Sequence, residues 1–273
     1  LNIKETVSNN LYQLNKLIEI KDPELVFEFD LKSFIPQKVI SSDSNVYLFS
    51  PYAENVFKVD QEKKGELLEI NRKFSSANLF GDSVLLFSKP DQLTILKDSR
   101  FSASTTLATP YSDFNFSNLS LFESNLYLLD NQKGAIIKYS YLYNSEWAFP
   151  QSWLSSAIKN ATDFRSMAVD GSVWILTKNN EIQRYYAGRL QETLEIDVFP
   201  SPKLVSKIFT SARYSYLYLL EPAQKRIIVL NKSGELIGQY QSEKFDNLLD
   251  FAVSEDGKTI YLLNGLKLYR FSI

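Results

Sequence analysis

Val46-Tyr47-Leu48-Phe49 decides how this chain is read, because the chain writes it six times. It returns as Val84-Leu85-Leu86-Phe87, Leu126-Tyr127-Leu128-Leu129, Val173-Trp174-Ile175-Leu176, Leu217-Tyr218-Leu219-Leu220 and Ile260-Tyr261-Leu262-Leu263. Each copy runs aliphatic, large and usually aromatic, Leu or Ile, then Leu or Phe. Copies beginning at 46, 84, 126, 173, 217 and 260 are 38, 42, 47, 44 and 43 residues apart. A period near 40 to 45 marks a four-stranded propeller blade, and six copies predict six blades.

Outward from the tetrads the layout recurs. A short strand (Val39–Ser41, Ala77–Phe80, Leu119–Phe122, Ser166–Val169, Lys207–Thr210, Leu249–Val253) leads into a polar turn, then the tetrad. The turns, among them Ser42-Asp43-Ser44-Asn45, Gly81-Asp82-Ser83 and Glu255-Asp256-Gly257-Lys258, carry residues that tolerate positive φ or bond their own backbone. A second polar turn and a third strand follow, as in Ile136–Tyr139 or Ile227–Leu230. Tetrads apolar on both faces suit strands sandwiched between neighbouring blades. One blade cannot bury its own faces, so the repeats form a single domain.

The ends of the chain predict how the ring closes. Leu25, Phe27, Phe29 and Leu31 alternate with polar or smaller residues, a period of 2. The last repeat has only three strand candidates, so the segment Leu25–Leu31 is expected to supply its outermost strand. Ahead of it, Ile3, Val7, Leu11, Leu14 and Ile18 form one helical stripe, ended by Pro23. The expected division is residues 1–22 as an amphipathic helix or connector and 23–273 as an all-β, six-bladed propeller.

Composition narrows the function classes. The 273 residues are 44% hydrophobic and 14% aromatic, ample for a large core, and no apolar run approaches the roughly 18 residues of a membrane-spanning helix. A formal charge of −2 gives no net positive field for nucleic acid or an anionic membrane. With neither cysteine nor histidine, the chain has no disulfide, thiolate site, Ser-His-Asp triad or His-ligated metal. No calcium loop, phosphate loop or dinucleotide fingerprint is present, and no cofactor is expected.

Residues 251–263 (Phe-Ala-Val-Ser-Glu-Asp-Gly-Lys-Thr-Ile-Tyr-Leu-Leu) read inner strand, acidic-Gly turn, second strand, and residues 226–235 (Arg-Ile-Ile-Val-Leu-Asn-Lys-Ser-Gly-Glu) read third strand and turn. This grammar resembles six-bladed propellers of the NHL and YVTN kind over about residues 25–273. The chain lacks the Gly-His and Trp-Asp pairs of WD40 repeats and the paired glycines of kelch repeats. The resemblance implies a fold that serves binding platforms, sensor ectodomains and enzymes alike. Domains of this look also sit at the extracytoplasmic end of membrane-anchored bacterial multidomain proteins, and a chain that starts at Leu1 behind a helical stripe agrees with that placement.

Candidate sites follow from the geometry of the ring. Polar residues where inner strands begin are Lys38, Asn78, Asn118, Arg165, Lys207 and Asp250. Three are basic, so the mouth is expected to draw a carboxylate or phosphate, unless the charges are solvated or paired with Asp163 and Asp250. The longest repeat carries Trp147, Phe149 and Trp153, with Gln151–Lys159 expected as a short helix. These rings read either as a platform for a peptide or glycan or as cover for a blade edge. Tyr139-Ser-Tyr-Leu-Tyr143 reads first as one strand face. Glu66 with Glu69, and Glu192 with Glu195 and Asp197, fall on outer strands, far from any pocket. The Asn-x-Ser/Thr triplets at 115, 118, 160 and 231 are of the kind an Asn- and Ser-rich chain writes by chance.

The expectation is a noncatalytic module that recognises a protein or small anionic ligand on its channel face, within a larger and membrane-anchored chain. The alternatives are an enzyme of hydrolase or lyase type using Asp250 or Asp163, with or without a metal, and a rigid spacer assembled through its helix.

Overall fold

The computed structural model describes residues 3–42, 44–143, 146–156 and 163–273. Helix α1 (Ile3–Leu14) and strands β1 (Leu17–Glu19) and β2 (Glu24–Glu28) precede six sheets. Blade one is β3 (Lys38–Ser41), β4 (Asn45–Phe49), β5 (Glu54–Asp60) and β6 (Gly65–Lys73). Blade two is β7 (Ser76–Phe80), β8 (Ser83–Ser88) and β9 (Gln92–Lys97), edged by β10 (Arg100–Phe101) and β11 (Thr105–Thr106). Blade three is β12 (Asn118–Phe122), β13 (Asn125–Asp130), β14 (Ala135–Ser140) and β15 (Gln151–Ser152). Blade four is β16 (Phe164–Val169), β17 (Val173–Thr177), β18 (Glu181–Tyr186) and β19 (Arg189–Glu195). Blade five is β20 (Lys207–Phe209), β21 (Tyr216–Glu221), β22 (Arg226–Asn231) and β23 (Leu236–Gln241), and blade six is β24 (Leu248–Val253), β25 (Thr259–Asn264) and β26 (Lys267–Ser272). The chain is a six-bladed β-propeller.

The tetrads explain why the ring holds together. The buried residues fall into six clusters, one per seam between blades. Val46 and Leu48 face blade six, with Leu263 and Leu268, whereas Tyr47 and Phe49 face blade two, with Val84 and Leu86. Leu85 and Phe87 then meet Leu126 and Leu128, and Tyr127 and Leu129 meet Val173 and Ile175. Trp174 and Leu176 meet Leu217 and Leu219, and Tyr218 and Leu220 meet Ile260 and Leu262. Odd positions therefore pack backward and even positions forward, as the period-2 pleat requires. Removing the side chain of a fully buried Leu48 would cost about 2–5 kcal/mol.

The residue after each tetrad is polar and buried in all six blades: Ser50, Ser88, Asp130, Thr177, Glu221 and Asn264. These side chains satisfy backbone groups of the loops packed on them. Asp130 accepts from the amides of Asn115, Gln132 and Lys133, Glu221 from that of Lys203, and Asn264 from that of Asn247. Buried loop amides need such partners, which is why the position is never apolar.

Closure is as the sequence predicts: β2 is the outer strand of blade six, antiparallel to β26, with Phe27 opposite Leu268. The buried face differs: a bulge between Leu25 and Phe27 turns Val26 inward and leaves Leu25 exposed, and Leu31 is exposed because the chain turns after Asp30. Phe27, Phe29, Phe34 and Phe57 then pack at centroid separations of 4.9–6.1 Å across the seam to blade one. A Cβ at Gly65 would lie 2.6 Å from the Phe57 ring and 2.7 Å from that of Phe27, so only glycine lets these rings close.

The helix is shorter than the stripe predicts. It ends at Leu14, Lys16 takes φ 47°, and Leu17–Glu19 pairs in parallel with β23 at the edge of blade five. Ile18 thus belongs to a strand, because the open edge of β23 satisfies backbone groups that a further helical turn would have bonded internally. A buried polar network fixes the junction. Arg226 donates to Glu221 (2.6 Å), to Gln239 and to the Pro200 carbonyl (2.6 Å), and Gln239 donates to the Asn15 carbonyl at 2.8 Å. Asp43 of the first turn, residues 157–159 of the expected helix and the triplet at 160–162 lie outside the described residues. Within that expected helix, Gln151–Ser152 is instead the edge strand of blade three, opposite Ile137 and Lys138. No described helix is long and apolar enough to cross a membrane.

Candidate functional site

The six inner strands enclose a channel cavity of about 730 Å³, within the size range of small-molecule sites. Lys38, Asn78, Asn118, Arg165, Lys207 and Asp250 all line it. Strand register sorts them by depth. Opposite the fourth tetrad residue stand Lys38, Ser76, Asn118, Ser166, Lys207 and Asp250. Asn78 lies one level down, opposite Leu85, in a ring otherwise made of Ile40, Ser120, Ala168, Phe209 and Ala252. Arg165 sits in the bulge between Phe164 and Ser166. The mouth ring therefore contains Ser76 and Ser166, which the sequence reading passed over.

Inner-strand residues at these two levels lie opposite even tetrad positions, so they face the following blade. In blades four to six they are used there. Ser166 Oγ accepts from the Ile208 amide at 3.2 Å, and Lys207 Nζ donates to Asp250 Oδ1 at 2.5 Å and to the Phe251 carbonyl at 2.8 Å. Asp250 Oδ2 accepts from the Val39 amide at 3.0 Å, tying blade six to blade one. Arg165 spends its guanidinium on the carbonyls of Val205 (2.6 Å) and Lys178 (3.2 Å). Asp250 thus takes the pairing expected of it, and Arg165 turns to carbonyls.

In blades one to three Ser120, one level down, also crosses, donating to the Met167 carbonyl at 3.4 Å, but the other polar wall residues do not. Among the described residues the side chains of Lys38, Asn78 and Asn118 have no hydrogen-bond or ion-pair partner, and each is half-buried in the channel wall. Burial draws the Lys207 ammonium below the ordinary lysine range; Asp250 opposes this and the nearby charge of Lys38 adds to it. The mouth carries Lys38, Arg165 and Lys207 against the carboxylate of Asp250, a positive surplus. No three Asp or Glu side chains of the described residues converge as a metal would need. The paired carboxylates lie on outer strands, as expected: Glu66 and Glu69 on β6, and Glu192 and Glu195 on β19.

The three aromatic residues of the long connection do not form one surface. Trp147 packs on Phe80 and Tyr141 at 6.1 and 5.2 Å between centroids, on the seam of blades two and three. Trp153 meets Tyr127 edge-on at 6.0 Å on the next seam, and Phe149 stands 83% exposed between them.

No family model matches the chain, and no curated protein does. Solved structures do. A streptogramin B lyase superposes with a TM-score of 0.64 at 14% identity, covering 89% of this chain and 95% of that one. Regucalcin from Agrobacterium tumefaciens, a calcium-binding protein, gives 0.68 at 9% identity, covering 94% and 95%. A gluconolactonase from Xanthomonas campestris gives 0.63 at 8%, covering 92% and 95%. Identities this low carry the architecture alone: the chain shares a propeller fold with enzymes and with a calcium-binding protein.

Proposed function

We propose that the protein is a noncatalytic recognition module whose channel mouth binds a carboxylate or phosphate group, free or displayed by a partner protein. The observation that carries this reading is Lys38, an ammonium half-buried in the mouth without a counter-ion among the described residues, while Lys207 nearby is held by Asp250. An anion there gains a charge-assisted bond from Lys38, with amide donors from Asn118 at the same level two blades on and from Asn78 one level down on the blade between. The carboxylate an enzyme would draw on, Asp250, has both oxygens bonded, which leaves it poorly placed as a base.

Isothermal titration of the protein with inorganic phosphate and with succinate at low salt tests the reading. Saturable binding of either, lost in Lys38→Met, is expected. Absence of saturable binding, or binding indifferent to Lys38→Met, overturns it.

Residues 1–22 we read as a connector to a further domain, extracytoplasmic in a membrane-anchored protein. Val7 and Leu14 on α1 are 51% and 78% exposed, in keeping with a helix that meets something other than this propeller. Should the helix serve instead to assemble copies of a spacer, light scattering will show an oligomer that Val7→Ser/Leu14→Ser dissociates.

A further inference from the structure

The seam between blades five and six opens, at the end of the blades away from Lys38, into a second crevice of about 300 Å³. Tyr216, Tyr218 and Tyr240 line it, over Val229 and Ile237. Strand pairing explains why three phenols meet there. Tyr216 and Tyr218 are two apart on β21 and share a face, and Tyr218, Val229 and Gly238 form one row across the blade. Tyr240 follows Gly238 by two residues, and its ring lies against the space the glycine leaves. A Cβ at 238 would come within 3.1 Å of the Tyr240 ring and hydroxyl.

The hydroxyls set this crevice apart from an ordinary packing gap. Tyr214 nearby donates to the Val253 carbonyl at 3.2 Å. Tyr218 is only 1% exposed, yet among the described residues its hydroxyl has no partner, nor have those of Tyr216 and Tyr240. Gly257 leaves the Tyr218 hydroxyl uncovered, since a Cβ there would sit 3.6 Å from it. Phenol oxygens that face one cavity and take no bond within the protein are held by water alone, which a polar ligand can replace bond for bond. Burial raises the phenols of Tyr218 and Tyr240, so both act as neutral donors and acceptors. Charge at the rim balances: Arg213 pairs with Glu255, and Lys258 lies near Asp256, whose carboxyl is held low first by Ser254 and then by the Lys258 amide.

We propose that this crevice is a carbohydrate site taking one neutral pyranose ring, its hydroxyls bonded to Tyr216, Tyr218 and Tyr240 and its C–H face laid on their rings and on Val229 and Ile237. An aromatic side chain would fit the volume but strip water from the three phenols without bonding them; a sugar supplies a hydroxyl for each. The site is separate from the anion-binding mouth.

Saturation-transfer NMR on the whole chain, with the methyl glycosides of glucose, galactose, mannose and N-acetylglucosamine, tests this. At least one should saturate at about millimolar concentration, as befits so small a ligand. Tyr218→Phe breaks no bond within the protein, so it should leave the unfolding midpoint unchanged while weakening the glycoside about tenfold. Gly238→Ala, which drives Tyr240 into the crevice, should abolish binding, and Lys38→Met should not affect it. The proposal fails if no glycoside saturates, or if saturation is indifferent to Tyr218→Phe and Gly238→Ala. It fails equally if N-acetylphenylalanine amide binds there and the glycosides do not.

Discussion

At the mouth the two halves of the channel wall are built at the same register and do different things, although deeper down Ser120 of blade three does bond across to Met167 of blade four. In blades four to six the mouth residues Ser166, Lys207 and Asp250 reach the next inner strand and fasten it. In blades one and three the equivalent Lys38 and Asn118 reach nothing among the described residues, as does Asn78 one level down in blade two. The difference teaches that a polar channel residue is structural where the next blade offers it a backbone group or an opposite charge, and available for recognition where it does not. Three serines just outside the ring underline the point. Ser75, Ser117 and Ser206 each turn a hydroxyl back onto a carbonyl of their own blade, leaving the wall chemistry to the residues that follow them.

The strongest way to break this comparison is Asp250→Ala. It strips Lys207 of its counter-ion and the Val39 amide of its acceptor, where Asp250 is 3% and Lys207 25% exposed. A loss of about 3 kcal/mol in urea unfolding is expected, at the low end for breaking a buried pair because Lys207 keeps some water. If Asp250→Ala costs no more than Lys38→Met, the two halves are not different.

Replacing both partners sharpens the point. Asp250→Leu/Lys207→Met removes the unpaired charge, so most of the loss should return, leaving about 1 kcal/mol for the Val39 amide. A double variant as unstable as the single would place the cost in packing instead.

An ion pair outside the channel calibrates what exposure does. Glu24 on the closing strand bonds Arg270 at 2.7 and 2.8 Å and Lys63 at 2.7 Å, and the Arg270 and Lys63 bonds hold its carboxyl at about 2. Its folded value lies below the ordinary 4.5, so its contribution is full above that pH and disappears as the pH falls from 4.5 towards 2. The group is 44% exposed, so under about 1 kcal/mol is at stake. Acid unfolding of Glu24→Gln against the parent checks it: the two should converge near pH 2.

The smallest expected effect is Lys38→Met, with unfolding free energy within about 0.5 kcal/mol of the parent because no bond is broken. A large loss would mean that Lys38 fastens the ring as Lys207 does.

Much of this was legible in the residues. The tetrads specify six blades and their two-sided packing, since odd and even positions must face opposite neighbours whatever the rest of the chain does. The pairing of Phe27 with Leu268 followed from counting strands in the last repeat. The buried polar residue after every tetrad was equally visible in aligned repeats, from Ser50 to Asn264, and a reading centred on apolar residues passed it by. The mouth ring was half legible. Asn78 was placed one level too high because turn lengths differ: Phe80 pairs with Ser83 across two residues, but Ser41 pairs with Val46 across four. Register counted from the turns would have found Ser76.

What the amino-acid sequence determined alone is therefore the repeat, the blade count and the closure, because these rest on local periodicity and on strands needing partners. Only the tertiary structure decided that Lys207 is held while Lys38 is left open, that Trp147 and Trp153 serve different seams, and that Ile18 joins blade five. Each of those depends on what a residue far away in the chain presents across a seam, which no spacing along the chain encodes.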